Sequence, residues 1–111
     1  MRFLVLMAEA DHYARWDAAT AAQQQEAFDH LAGFAEAVAR RGSVLHGEAL
    51  ARPTEAQTLR AGAATEGPYA ETTEQLGGFF LVDLPDRDTA VELARLLPPA
   101  WTVEVRPVVE M

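Results

Sequence analysis

The sequence predicts an α+β fold, a ferredoxin-like βαββαβ sandwich with an extra hairpin strand. Three observations carry that prediction. RFLVLM and GFFLVDL are short, nearly unbroken apolar runs, the pattern of central strands in a sheet. Two longer segments, 21–41 and the stretch from Pro85-Asp86 to Pro98-Pro99, repeat apolar residues at helical spacing. The order is strand, helix, strand, short strand, strand, helix, strand, and two helices suffice to cover only one side of a four-stranded sheet.

RFLVLM reads as the first strand, central because both of its faces are apolar. Thr20 can cap the helix that follows, with Gln23 in capping-box position. Phe28, Leu31, Ala35 and Val38 then recur at helical spacing until Gly42 closes the helix. SVLHGEAL alternates as a strand does, with Val44, His46, Glu48 and Leu50 on one face and Ser43, Leu45, Gly47 and Ala49 on the other. Pro53 ends it, and TEAQTLRAG supplies a short strand near 56–60. GAATEGPYAETTEQLGG reads as a loop with one helical turn. The turn dipeptide Gly67-Pro68 and the pair Gly77-Gly78, whose φ freedom other residues lack, fix its ends. GFFLVDL is the next strand. Pro85-Asp86 opens the second helix, in which Ala90, Leu93, Ala94 and Leu97 form the apolar stripe. In the last strand, WTVEVRP, Trp101, Val103 and Val105 point one way and Thr102, Glu104 and Arg106 the other.

Composition narrows the chemistry. A chain of 111 residues suits one domain with one core. No apolar run reaches the ~20 residues of a membrane span, and MRFLVLMAEADHY turns acidic too early for a secretory signal, so a cytoplasmic protein without membrane contact is expected. A net charge of −8, with nine scattered arginines, argues against a nucleic-acid partner. The one arginine pair, Arg40-Arg41, falls where a helix C-terminus favours cations. There is no Cys and no Lys, and the single serine, Ser43, lacks the surroundings of a nucleophile elbow. Chemistry is left to His, Asp, Glu, Tyr, Thr or Arg. His12, His30 and His46 have none of the close spacings of zinc motifs, so neither metal nor cofactor is expected.

The side of the sheet away from the helices should bear His46, Glu48, Glu104 and Arg106 among apolar residues. That mixture suits neither core nor plain solvent surface, and it predicts a homodimer packed face to face around a polar-lined cavity. Within it His46 and Glu48 are the catalytic candidates, the carboxylate holding the tautomer of an imidazole that works as general base. Residues i and i+2 of a strand sit roughly 6–7 Å apart, and a histidine simply packed in the dimer interface is the competing reading. Glu71 and Glu74, three apart, either anchor their loop or join Tyr69 in a ligand pocket. Arg106 either pairs with Glu104 or binds an anionic group of a ligand. His12 and Tyr13, just past the first strand, either line the cavity entrance or are merely loop, and His30, off the apolar stripe, is expected in solvent.

EGPYAETTEQLGGFFLVDL, followed by DRDTAVELARLLP and VEVRPVVEM, resembles the YCII-related proteins of the DGPF type, whose namesake segment runs approximately DGPFAETKE before a GGF strand. The resemblance extends from RFLVLM through RRGSVLHGEAL to the terminal VEVRP. Glu66 stands where that family has Asp, Tyr69 where it has Phe and Thr73 where it has Lys, which removes a cation from beside Glu71 and Glu74. The resemblance implies a ferredoxin-like dimer of the dimeric α/β-barrel kind, related to folds that host isomerases, heme-free monooxygenases and dehydrochlorinases. It implies no settled reaction. The YCII branch resembles a His-Asp dyad enzyme, whose Asp is assigned to no position here, and some DGPF-type members are encoded beside extracytoplasmic-function sigma factors. The expected function is binding of a small aromatic or carboxylated molecule, with acid-base isomerisation or elimination as its chemistry. In that scheme His46 is the base, Glu48 orients it, and Arg106 or Tyr69 fixes the substrate. The alternative is a non-catalytic dimeric interaction module linked to transcriptional regulation.

Overall fold

The computed structural model describes residues 1–111. The elements are β1 (Arg2–Ala10), α1 (His12–Ala18), α2 (Ala21–Arg41), β2 (Ser43–Ala49), β3 (Gln57–Arg60), β4 (Ala63–Glu66), β5 (Glu74–Asp83), α3 (Arg87–Ala94) and β6 (Thr102–Pro107). β2, β5, β1 and β6 lie side by side in that order in one antiparallel sheet, while β3 and β4 form a separate hairpin. Each long helical connection therefore skips one strand, the split βαβ arrangement of the ferredoxin-like fold.

Alternation along β1 sets the layers. Phe3, Val5 and Met7 point to the helices and are buried, and they pack with Phe34 and Val38 of α2, Val82 and Leu84, and Ala90 and Ala94 of α3. Phe34 meets Phe80 with ring centroids 5.0 Å apart. Truncating a fully buried ring such as Phe34 to alanine costs about 3–5 kcal/mol in cores of this kind. Leu4 and Leu6 point the other way. Across the sheet, Leu4 lies between Leu81 and Arg106, and Leu6 between Phe79 and Glu104. His46 and Glu48 continue these rows at the opposite edge, beside Leu81 and Phe79. The face without helices is thus an apolar centre between two charged edges.

Helix ends follow their local chemistry. Thr20 and Gln23 form the expected capping box, each side chain accepting from the other residue's backbone N–H, at 3.1 and 2.9 Å. Asp86 caps α3 by accepting from the Thr89 N–H at 2.8 Å. That helix ends at Ala94, before the expected Pro98-Pro99 stop, and Leu96 and Leu97 continue as turns bonded to Leu93 and Ala94.

Several local expectations are overturned. In β2, Leu45 is an extra residue: Val44 pairs with Val82 and His46 with Leu81. This bulge flips the alternation, so Val44 faces the helices while His46 and Glu48 face away. The segment after Arg60 contains no helical turn. It forms β4 through a tight turn at Ala61-Gly62, where both residues have positive φ, as a two-residue hairpin of type I′ needs. Gly67 does have the positive φ expected of its turn, at 98°, but Gly77 and Gly78 do not. The stretch after β1 is a helix, α1, entered through Asp11 in left-handed conformation (φ 53°), a state short polar side chains tolerate. His30 is half-buried, its Nδ1 2.9 Å from the Leu96 carbonyl, and so ties α2 to the end of α3.

The cap of α3 makes a pH prediction. The hydrogen bond from Thr89 holds the Asp86 carboxyl below its ordinary value of 3.8. A carboxyl so depressed stabilises the fold above the unfolded value and loses that contribution as pH falls through the lower folded one. Asp86→Ala should lower the melting temperature at neutral pH by roughly 5 °C, and the gap to wild type, followed by circular dichroism, should close as pH drops below 3.8.

Candidate functional site

β1 ends at Ala10, and α1 begins two residues later against the start of β5. The Asp11 N–H donates to the Thr73 carbonyl at 2.8 Å, fixing the entry of α1. This junction sets Glu9 on the strand and His12 on the helix, three residues apart. Glu9 Oε1 lies 2.9 Å from His12 Nδ1, and each side chain is only 13% exposed. The carboxylate accepts, so the neutral imidazole carries its proton on Nδ1 and leaves Nε2 as a free acceptor.

That ring sits in the wall of a cavity of about 410 Å³ on the helix side of the sheet. Trp16, Phe28, Leu31, Phe80 and Trp101 supply most of its apolar lining, with Gly47, Gly77 and Gly78 along the strands. His12 is packed by aromatic rings on three sides: Tyr13 at 4.9 Å and Trp101 at 5.5 Å edge-on, and Trp16 at 6.4 Å. The size and the mainly apolar lining with a few polar groups, His12 among them, are those of a small-molecule site.

The glycines make room by sterics, not by special backbone angles. A Cβ on Gly77 would lie 2.7 Å from His12 Nε2, and one on Gly47 would lie 2.6 Å from the Phe80 ring. A Cβ on Gly78 would lie 2.8 Å from the Glu48 carbonyl. Gly77 is also the extra residue where β5 slips against β1, since Met7 pairs with Gly78 and Ala8 with Leu76. The bulge and the missing side chain together let an imidazole lie against bare strand backbone.

Tyr13 closes one end. Its hydroxyl proton is shared between the Leu50 and Ala51 carbonyls, at 2.9 and 3.0 Å, and burial raises its pKa above 10.0, so it stays a neutral donor. Arg52 lies over the Tyr13 ring, 5.6 Å from its centroid, and pairs with Asp17 at 2.6 Å, which holds the Asp17 carboxyl below its ordinary range. These contacts join α1 to the end of β2 at the cavity rim.

The residues singled out from the sequence occupy three separate places. His46 and Glu48 are neighbours on the face without helices, 4.0 Å apart and 61% and 60% exposed, with His46 stacked on Phe79. Arg106 pairs with Glu104 at 2.6 Å on the opposite edge strand, with β5 and β1 in between. Tyr69 and Glu71 are exposed in the connection before β5, where the Tyr69 carbonyl accepts from Arg60. Glu74 accepts from the Thr102 hydroxyl at 3.1 Å, which ties the start of β5 to β6. Of these six only Glu48 reaches the cavity lining, whereas His12 and Tyr13, read as candidates for its entrance, both belong to it. Glu9, Trp16 and Trp101 were not anticipated. The signal for Glu9 and Trp16 was present as Glu9-x-x-His12-x-x-x-Trp16, a spacing that gains meaning only once a helix is known to begin at His12. No group of three or more His, Asp or Glu side chains is arranged to hold a metal ion.

The steric role of Gly77 can be tested. Gly77→Ala should push the imidazole off Glu9 at a cost of about 1–3 kcal/mol, as overpacking does. Nitrogen NMR should then show the His12 ring losing its fixed Nδ1-protonated form while the fold persists.

Comparison with known proteins agrees with the architecture. The chain is 45% identical over 62 residues to an uncharacterised protein of Rhizobium meliloti (strain 1021), a match covering 49% of this chain and 50% of the relative, so the chain spans about half the length of that relative. The whole of residues 1–111 matches the YCII-related domain. A ferredoxin-like α+β sheet entered through a strand, a short helix and a long capped helix, and returned by the GGFFLVDL strand, is therefore that of a protein belonging to the YCII-related domain family.

Proposed function

We propose that the chain binds a small, planar, largely apolar molecule in the helix-side cavity, and that His12, oriented by Glu9, acts on it as a general acid-base group. The carrying observation is the 2.9 Å bond between two side chains only 13% exposed, at the wall of an aromatic cavity. A carboxylate that fixes Nδ1–H aims the basic Nε2 away from itself, the arrangement a proton-abstracting imidazole needs. The cavity lining contains no arginine, and Arg106 lies on the far edge strand, which favours a neutral ligand over a carboxylated one. Proton transfer at carbon, as in isomerisation or elimination, fits this equipment.

Phenylacetone, which is neutral, aromatic and weakly acidic at carbon, is a suitable probe. Wild type in D₂O should accelerate deuterium uptake at its activated carbon, and His12→Gln should lose that acceleration by roughly 10²–10⁴-fold. Ala49→Phe, which fills the cavity from the end of β2, should abolish saturable binding, whereas His46→Ala should leave both unchanged. Uptake that survives His12→Gln but not His46→Ala would return the assignment to the exposed pair.

We further propose that a second copy covers the face without helices. Leu4, Leu6, Phe79 and Leu81 form its half-buried apolar centre, and each charged edge carries a base beside an acid: His46 with Glu48, and Arg106 with Glu104. A two-fold related copy can match opposite charges at both edges while burying the centre. Sedimentation should give a dimer, and Leu6→Arg should halve the mass without loss of helix signal. An unaltered monomer in both cases would leave the interface reading without support.

A further inference from the structure

Behind His12 lies a second concavity of about 340 Å³, different in character from the first. The exposed side chains of Arg15, Gln23 and Glu26 and the half-buried His30 line it, together with Glu9. The apolar cavity and this polar groove share only two lining residues, Trp16 and Trp101, which form the partition between them. His12 lines the cavity but not the groove. Glu9 lines the groove but not the cavity, and the 2.9 Å contact between them crosses the partition.

We propose that Glu9 gives His12 a proton route to bulk water that bypasses the ligand cavity. Once Nε2 has taken a proton and the ring is an imidazolium, its Nδ1–H bond breaks as that proton moves to Glu9 Oε1, leaving a neutral ring protonated on Nε2. The carboxylic acid so formed then releases the proton to solvent in the groove and regains its charge. Run in reverse, the route delivers a proton from solvent to Nδ1. No electron pair leaves the imidazole or the carboxylate, so each passage moves one proton between the ring and solvent and returns Glu9 to its starting state. Arg15 and Glu26 line the groove with Glu9, and His30 is engaged with the Leu96 carbonyl. A ligand then seals the apolar cavity without stranding a positive charge on the ring, because the Nδ1 proton leaves by the groove as Nε2 takes one from the cavity.

This route deepens the reading of His12 as the acid-base group, but it can be tested on the ligand-free protein. With ¹⁵N-histidine label, solvent exchange of the His12 ring N–H is measured by NMR in wild type, Glu9→Gln and Ala49→Phe. Glutamine keeps a carbonyl to accept from Nδ1–H but cannot carry a proton. Glu9→Gln should therefore preserve the tautomer and slow exchange roughly tenfold or more, whereas Ala49→Phe, which narrows the cavity but keeps the carboxylate carrier, should slow it less than Glu9→Gln does. Unchanged exchange in Glu9→Gln would overturn the proposal, and so would slowing in Ala49→Phe that matches Glu9→Gln. Phenylacetone binding and deuterium uptake that depend on His12 would survive either result, so failure of the route is distinguishable from failure of the site.

Discussion

The contact on which the rest of the cavity depends is the approach of the His12 ring to the bare backbone of Gly77. A side chain there would occupy the position of the imidazole edge, 2.7 Å from Nε2. The β5 bulge at the same residue shifts the register so that Gly78 meets Met7 and Leu76 meets Ala8. Without that slip the strand would present a different residue to α1. The other glycines act in the same way at different neighbours, Gly47 under Phe80 and Gly78 against the Glu48 carbonyl. The Gly77-Gly78 pair within β5 thus serves close packing on bare backbone, of the His12 ring at Gly77 and of the Glu48 carbonyl at Gly78.

Given that contact, the electrostatics follow from placement. Glu9 and His12 are nearly buried together, and the pair is satisfied internally, as buried polar groups must be. The exposed pairs, His46 with Glu48 and Arg106 with Glu104, are of another kind: water screens them, and such pairs contribute at most about 1 kcal/mol. Sequence spacing alone cannot separate these cases. His46 and Glu48 are two apart on a strand and Glu9 and His12 three apart across a strand-to-helix junction, yet the first pair stands 4.0 Å apart in solvent and the second 2.9 Å apart beside tryptophans.

Much of the fold was legible because its signals are local. Periodicity marked β1, α2, β5 and α3, and Thr20-Gln23 marked the start of α2 to the residue. What was missed depends on information no short window holds. The Leu45 bulge that turns Val44 inward is set by pairing with β5. The β4 strand exists through pairing with β3, and its turn places Ala61, a residue without turn preference, at positive φ. Helix α1 is only seven residues long, too short to hold by propensity, and is kept by the tie of Asp11 to Thr73 and of Tyr13 to the end of β2. Since α1 carries His12, Tyr13 and Trp16, the heart of the candidate site is assembled only when that helix docks on the sheet, which no local pattern encodes.

The two faces of the sheet are not independent, because β5 alternates between them. Phe80 lies under α2 against Phe34, while Phe79 sits in the apolar centre of the opposite face, yet both contribute to the lining of the cavity. Glu48, beside Phe79, does the same from β2. Phe79 and Glu48 point to the outer face, so they border the cavity through strand backbone and not through their side chains. The inner cavity and the outer face are thus two sides of the same stretch of β2 and β5, and the adjacent Phe79 and Phe80 give one ring to each.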